Sequence, residues 1–410
     1  MHQTAEVDLR EKALQAKEKP SPYGEDIDLK EYLVEAGIQA VVSDPSRLPQ
    51  QARRDMLEVG VVTDSLHTRA GTFLQTNHTV IYNRASHEGV EMMSSLGALE
   101  KYPWLKDYWW KAVPVDTDKF TAHVELHPNQ GYFIRTLPGA KIAMPVQACL
   151  YLTQPHLAQS VHNLIIVEEG SELHVITGCT VPYSAGSGLH IGVSEFYVKK
   201  GAKLMFTMIH NWAPEVAVRP RTGVIIDEGG TYISNYVSLR PTRNLQTYPT
   251  AWCKGRKAVA QFNSILLAPP GAKLDIGARV VLEAPEAKGE IVSRALTRGG
   301  KVMARGHLVG MAPGVKGHLE CRGLILSDEG EITAIPELDG RVADVDLTHE
   351  AAVGKIAEEE LEYLMARGLT RDEATSAIVK GFISMDIKGL PPGLETQLHR
   401  AIKLSQRQAL

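Results

Sequence analysis

The sequence predicts a mainly β fold: a solenoid of stacked strand–turn–strand coils, with a helical region before it and a small helical module after it. Three observations carry that reading. From about Lys141 the texture changes to short β-branched runs broken by glycine turns, such as "HNLIIVEEGSELHVITG" and "TGVIIDEGGTYISNYVSL". The turn glycines recur at Gly170, Gly201, Gly229, Gly271, Gly300 and Gly330, so that four of the five successive spacings are nearly equal and one is longer. Such spacing points to a repeat whose units cannot bury a face alone and so stack on one another. After Glu350, apolar residues return at helical spacing. A β-sandwich also uses short strands and glycine turns, but has no need of so regular a spacing.

Taken in order, residues 1–135 read as a mainly helical N-terminal region. Polar helical patterns ("IDLKEYLVEAG", "PSRLPQQARRDMLEVG") are followed by the aromatic-rich "LEKYPWLKDYWWKAV", with "TNHTVIYN" as a candidate early strand. Residues 136–347 are the coiled β core and residues 348–410 the helical module. At the junction, "VDLTHEAAVGKI" sets His349 and Glu350 side by side where a strand-like run gives way to a helix. The stretch "KIAEEELEYLMARG" carries Ile356, Leu361, Leu364 and Met365 at helical spacing and stops at Gly368, a natural C′ residue. Thr370 and Glu373 then form a capping-box signature, and a third helix is expected through "LETQLHRAIKL".

Composition narrows the function. There are 44 basic and 48 acidic residues, a net charge of -4, and no basic tail or stripe of the kind a phosphate backbone requires, so nucleic acid is not expected as partner. No apolar run reaches the roughly 20 residues that span a bilayer, and the charged start does not resemble a secretory signal, so a cytoplasmic protein with no membrane partner is expected. Cys149, Cys179, Cys253 and Cys321 are scattered without a CxxC pair, which argues against a disulfide framework or zinc knuckle. A phosphate-binding GxxxxGK[ST] loop is absent from the sequence.

The repeat converts sequence separation into distance, because residues one coil apart stack at roughly 4.8 Å. His349 and Glu350 each follow Cys321 by about one coil length, so thiol, imidazole and carboxylate are expected to converge on the last coils. His210 likewise follows Cys179 by one coil length, with Trp212 on the same face as His210. Each cluster has a plainer reading: a buried cysteine is usually inert, His349-Glu350 can be a helix start, and His210-Asn211-Trp212 a satisfied polar rung. Cys149 and Cys253 lack partners at coil spacing and read as structural.

"GCTVP", "LHIGVSEFYVKKGAKLMFTMIHNW", "LTHEAAVGKI", "LEYLMARGLTRDEATSAIVKGFI" and "YPWLKDYWWKAV" together resemble the SufB/SufD family of iron–sulfur cluster assembly proteins, from about Tyr102 to Leu404. The resemblance implies a right-handed parallel β-helix acting as a scaffold, without catalysis of its own, on which transient iron–sulfur clusters form. It implies pairing through the β-helix core and docking of the ABC-type ATPase SufC on the C-terminal helices, where the apolar stripe Leu361, Leu364, Ile378 and Phe382 either receives SufC or forms the cap's own core. By position, Cys321 matches the SufB-type cluster ligand, Glu350 its partner glutamate, and His349 the histidine of the SufD type. Cys179 matches the cysteine that accepts sulfur from a desulfurase, with His210 and Trp212 along the sulfur tunnel. Departures are present: Glu228 falls where the tunnel has a lysine, His210 where it has a glutamine, and Thr348 where a glutamate is common. The combination of Cys321, His349 and Glu350 in one chain points to a homodimer. Flavin binding is left open, as is the choice between a cluster-holding scaffold and a SufD-like support subunit aiding iron supply. A β-helix carbohydrate-active enzyme is the reading from another class; it calls for paired carboxylates along a solvent-facing strand ladder.

Overall fold

Two parallel sheets face one another in the computed structural model, which describes residues 2–182, 186–240 and 242–383 and forms a β-solenoid of about eight turns. The first sheet stacks Val146–Tyr151, Glu172–Thr180, Lys203–Asn211, Thr231–Ser238, Val259–Ala268, Lys288–Thr297, Val315–Ile325 and Val345–Lys355. Its register is nearly constant from coil to coil, from Val146↔Val175 and Glu172↔Lys203 to Lys288↔Lys316 and Val315↔Val345. The second sheet runs from Tyr132–Thr136 to Glu331–Gly340. Side chains alternate across each strand. The inward set, including Phe196, Leu204, Phe206, Tyr232 and Ile291, fills the space between the sheets as one apolar core.

The repeat is more regular than the glycine spacing alone suggests. The turns leading from the second sheet into the first place one left-handed residue per coil: Gly139, Gly170, Gly201, Gly229, Lys257, Glu286 and Gly314, all at φ between 60° and 74°. These turns form a ladder of their own, with Gly170 N–H donating to Lys200 O at 2.9 Å and Gly201 N–H to Glu228 O at 2.8 Å. Gly271 and Gly300 belong to the opposite corner, so the long step from Gly229 to Gly271 is a change of corner rather than an insertion. Lys257 and Glu286 hide the continuation because they adopt the same backbone without being glycine.

The N-terminal region adds strands to its expected helices. Besides the helices His2–Ala16, Gln50–Glu58, Ser95–Lys101 and Lys119–Leu126, it contributes strands Gly71–Thr76, Thr79–Ala85 and Val90–Ser94. Gly71–Thr76 extends the first sheet in parallel, and "TNHTVIYN" is the turn and second strand of a hairpin that extends that sheet antiparallel. The hairpin thereby moves the sheet's edge to Thr79–Ala85, a short strand with exposed residues at its end. Helix Gln50–Glu58 covers the outer face of the first coils through Met56, and Leu105 and Ala112 cover the second sheet, so the early strands are buried on both faces. No helix among the described residues is long and apolar enough to cross a membrane.

At the other end the last strand continues through Lys355, and the helix starts at Glu358. His349 and Glu350 therefore lie in the middle of a strand, not at the strand-to-helix junction expected of them. Helix Arg371–Ile383 folds back over the first sheet's outer face. The expected third helix lies outside the described residues.

Candidate functional site

Strand Glu172–Thr180 turns Cys179 into the core, where it is 1% exposed. The register sets His210 directly beside it on the next coil, as the coil spacing requires. Trp212 follows just after that strand, its ring 5.5 Å from that of His210. The structure adds members that the coil arithmetic missed. His190, from the second sheet, lies 4.9 Å from Trp212 ring to ring and bonds Gln159 Oε1 through Nδ1 at 2.9 Å. Tyr236 meets His210 Nδ1 with its hydroxyl at 2.8 Å. The register partner of His210 on that strand is Ser238, and Tyr236 stands two positions before it, so a search at one coil length passes over Tyr236.

Burial governs the electrostatics here. It pushes the Cys179 thiol well above the ordinary thiol range and draws His190 down to about 3, while His210 is held well below its usual value by burial first and by His190 second. The cluster is thus neutral around pH 7. His210 Nε2 and Trp212 Nε1 have no hydrogen-bond partner among the described residues, so polar capacity is left over beside the thiol.

From Tyr236 the lumen continues toward Cys321. Thr177, Met208, Tyr236, Ser264, Ser293 and Cys321 are successive register partners on one inward-facing column. Ser264 Oγ donates to Ser293 Oγ at 3.2 Å. A cavity of about 60 Å³, lined in part by Met208, Tyr236, Ser264 and Ser293, lies along this column. Such a volume holds roughly four water-sized species. The column spans five strand steps, roughly 24 Å at 4.8 Å each.

At the far end the expected convergence is only partial. The last coil is longer than the one the Cys321–His349 spacing assumes, so Cys321 pairs with Ala351, Leu319 with His349, and Glu320 with Glu350. His349 shares the inner face with Cys321, two residues along the neighbouring strand, at a Cα separation of roughly 8 Å from standard strand geometry. Glu350 points to the opposite face. It lies beside Glu320, which Arg322 holds at 2.7 Å and Arg294 approaches at 3.7 Å. Cys321 is 2% exposed, and its thiol is pushed up to about 11, by burial first and then by Glu320. No three His, Cys, Asp or Glu side chains among the described residues are grouped to hold a metal ion.

The remaining candidates divide. Leu361 is buried within the helical module, and Phe382 packs with Val379 and Ile383 against the sheet, its carbonyl accepting from Arg294 at 2.9 Å. Leu364 and Ile378 instead line a shallow surface groove with Tyr363, Glu359 and Glu360. Glu228 lies on an exposed turn with Lys200 at 3.3 Å and does not reach the lumen cavity. Cys149 is sealed beneath helix Gln50–Glu58 and Cys253 within the lumen wall, both fully buried with raised thiols, in keeping with structural roles.

Residues 150–382 match the family model described as "SUF system FeS cluster assembly, SufBD core domain". An iron–sulfur cluster assembly SufBD family protein of Methanothermobacter thermautotrophicus is 48% identical over 404 residues, 97% of this chain and 98% of that one. One from Archaeoglobus fulgidus is 52% identical over 353 residues, covering 86% and 95%. The iron–sulfur cluster assembly protein SufB of Bacillus subtilis is 31% identical over 373 residues, covering 88% and 80%.

Proposed function

We propose, from the premise that the chain belongs to the SufBD family of iron–sulfur cluster assembly proteins, that it is a cytoplasmic scaffold carrying sulfur from Cys179 through the solenoid lumen to a cluster-forming end at Cys321. The observation that supports this reading is the column Thr177–Met208–Tyr236–Ser264–Ser293–Cys321, with a cavity along its middle, lying between the surroundings of the two cysteines. Cys179 would receive sulfur from a desulfurase as a persulfide, with His210 as its register neighbour on the next coil. The iron–sulfur cluster is cargo. Thiolate and imidazole suit it better than carboxylate, so Cys321 and His349, on one face, are the stronger pair, and Glu350 would act from the other face or toward a second protomer.

One protomer supplies too few ligands, which favours a homodimer. Strands Glu331–Gly340 and Val345–Lys355 support it: each has a single sheet neighbour among the described residues, and Leu338, Val342 and Val353 near them are exposed. A long unprotected edge of this kind is a template for pairing with another chain. SufC would dock at the groove of Leu364, Ile378 and Tyr363, where acidic Glu359 and Glu360 form the rim. ATPase activity would belong to that partner.

The orientation of Glu350 away from Cys321 favours a second reading, a SufD-like support subunit that aids iron supply without holding the cluster. Anaerobic reconstitution of the isolated chain with ferrous iron and sulfide separates them. The scaffold acquires visible absorbance and acid-labile sulfide that Cys321→Ser loses, whereas a support subunit acquires neither. Unchanged cluster content in Cys321→Ser removes the ligand assignment.

A further inference from the structure

A second polar cluster lies at the closed end of the solenoid and plays no part in the sulfur path. Helix Lys119–Leu126 ends on two histidines one turn apart, His123 and His127, joined by the His127 N–H to His123 O bond at 2.9 Å. Their rings approach to 4.7 Å between centroids. His123 is 7% exposed and its Nε2 is buried without a hydrogen-bond partner among the described residues, while His127 is more open to solvent. A third imidazole stands nearby. His78 meets the Ala158 carbonyl through Nε2 at 3.2 Å, which obliges that nitrogen to carry the proton and leaves Nδ1 with a free lone pair. An imidazole anchored to a backbone carbonyl by its far nitrogen is the usual posture of a metal-ligating histidine.

The surroundings hold these groups in place. Asn129 donates to Ser160 Oγ at 2.9 Å, and Gln75 Nε2 donates to Gln130 O at 3.3 Å, so the turn at His78 and the chain after His127 meet on the same strand, Ala158–Val167. Gln75 Oε1 and Gln130 Oε1 are buried without donors among the described residues.

We propose that His123 and His127 chelate an exchangeable first-row divalent transition cation of the Zn²⁺ class, with His78 as a further nitrogen donor at the rim. Two imidazoles at i and i+4 on one helix face form a chelate, and imidazole suits Zn, Cu, Fe and Ni rather than Mg or Ca. Water fills the positions left open on the His127 side. No three His, Cys, Asp or Glu side chains among the described residues are grouped to hold a metal ion, so the chelate rests on the His123–His127 pair and His78 joins it only by moving; the site stands independently of the sulfur path.

Titration of the full chain with Zn²⁺ against a chromophoric chelator tests this. His127→Gln, on the solvent side of the pair, keeps the fold and weakens the tight equivalent roughly tenfold or more; His78→Gln weakens it less. His123→Gln gives the same loss and serves as a second variant, with unfolding in chelator reporting whether it still folds. The Cys179→Ser, Cys321→Ser double variant retains the equivalent, and Mg²⁺ does not compete. Unchanged affinity in His127→Gln, or loss of binding in the cysteine double variant, overturns the site.

Discussion

The Cys179 end and the Cys321 end are built by one repeat yet finish differently. Around Cys179 the chain has covered both faces of the sheets, and His190, His210, Trp212 and Tyr236 close over the thiol in a neutral, water-poor setting. Around Cys321 the inner column is buried but the next rung is already exposed, with His349 in solvent and Val345 and Leu347 only half-buried. The first end is complete in one chain and suits a group that must be shielded. The second offers an unfinished inner face and strand edges with no partner among the described residues, as a site completed by another chain requires. The difference comes from coverage, not from the coil.

Core truncations break this comparison most strongly. Phe196 is fully buried, 4.6 Å from Phe206 ring to ring. Phe196→Ala should cost about 3–5 kcal/mol, because the lumen walls cannot collapse into the void. Leu347→Ala, on the last rung, should cost about 1 kcal/mol in a dilute protomer. Denaturant unfolding of both variants is the check. If a second protomer covers the open end, the Leu347→Ala loss grows with protein concentration, and its growth would locate the interface.

Acid should open the closed end first. His190 has a folded value of about 3, far below its ordinary value. Between roughly pH 6.5 and 3 the unfolded chain therefore binds a proton that the folded chain does not, so stability is full above that window and falls as pH drops through it. At about 1.4 kcal/mol per pH unit, this one group removes about 3 kcal/mol by pH 4.5. His190→Gln should flatten that slope, measured as unfolding midpoint against pH. A slope unchanged by the substitution would mean that His190 is not held neutral.

Thiol labelling sharpens the contrast on a smaller scale. At pH 8 a thiol of about 11 is ionised only to about one part in a thousand, so Cys321 should react roughly two orders of magnitude slower than in the unfolded chain. Its rate should rise about tenfold per pH unit, and Cys179, higher still, should lag behind it. Mapping the modified peptides by mass spectrometry decides the order. Labelling of Cys179 first would contradict the sealed setting assigned to it.

The sequence made the coil and the Cys179–His210 contact legible because β-branched alternation and turn residues repeat there without interruption. It could not disclose the last coil's length. The corner Leu326–Gly330 is two positions longer than the corner Arg298–Gly300, and that excess moves His349 from Cys321 to Leu319. Turn length changes register without altering the pattern of the strands. Glu350 would face away with the shorter corner as well, since the two lengths differ by an even number and leave the alternation of faces unchanged. His190 and Tyr236 were invisible for a related reason: one comes from the opposite sheet and the other from a diagonal position. The hairpin Gly71–Ala85 was obscured because its antiparallel pairing lies outside the repeat, whose coils encode only parallel neighbours.

The smallest effect concerns the turns themselves, and it tests whether the ladder of left-handed residues holds the coils in register equally along the solenoid. At Gly229 the backbone sits at φ 63°, so Gly229→Ala should cost about 1–2 kcal/mol from the clash of Cβ with the following carbonyl. Lys257 already bears that strain at φ 60°. Lys257→Gly relieves it but frees the unfolded chain by about 0.5–1 kcal/mol, so the two nearly cancel, with a net gain below about 1 kcal/mol. The exposed contact of Lys257 with Glu286 at 3.6 Å contributes little to this balance. Thermal unfolding of the pair should therefore move in opposite directions. Two losses of similar size would show that the Lys257 side chain, rather than its backbone, holds that corner.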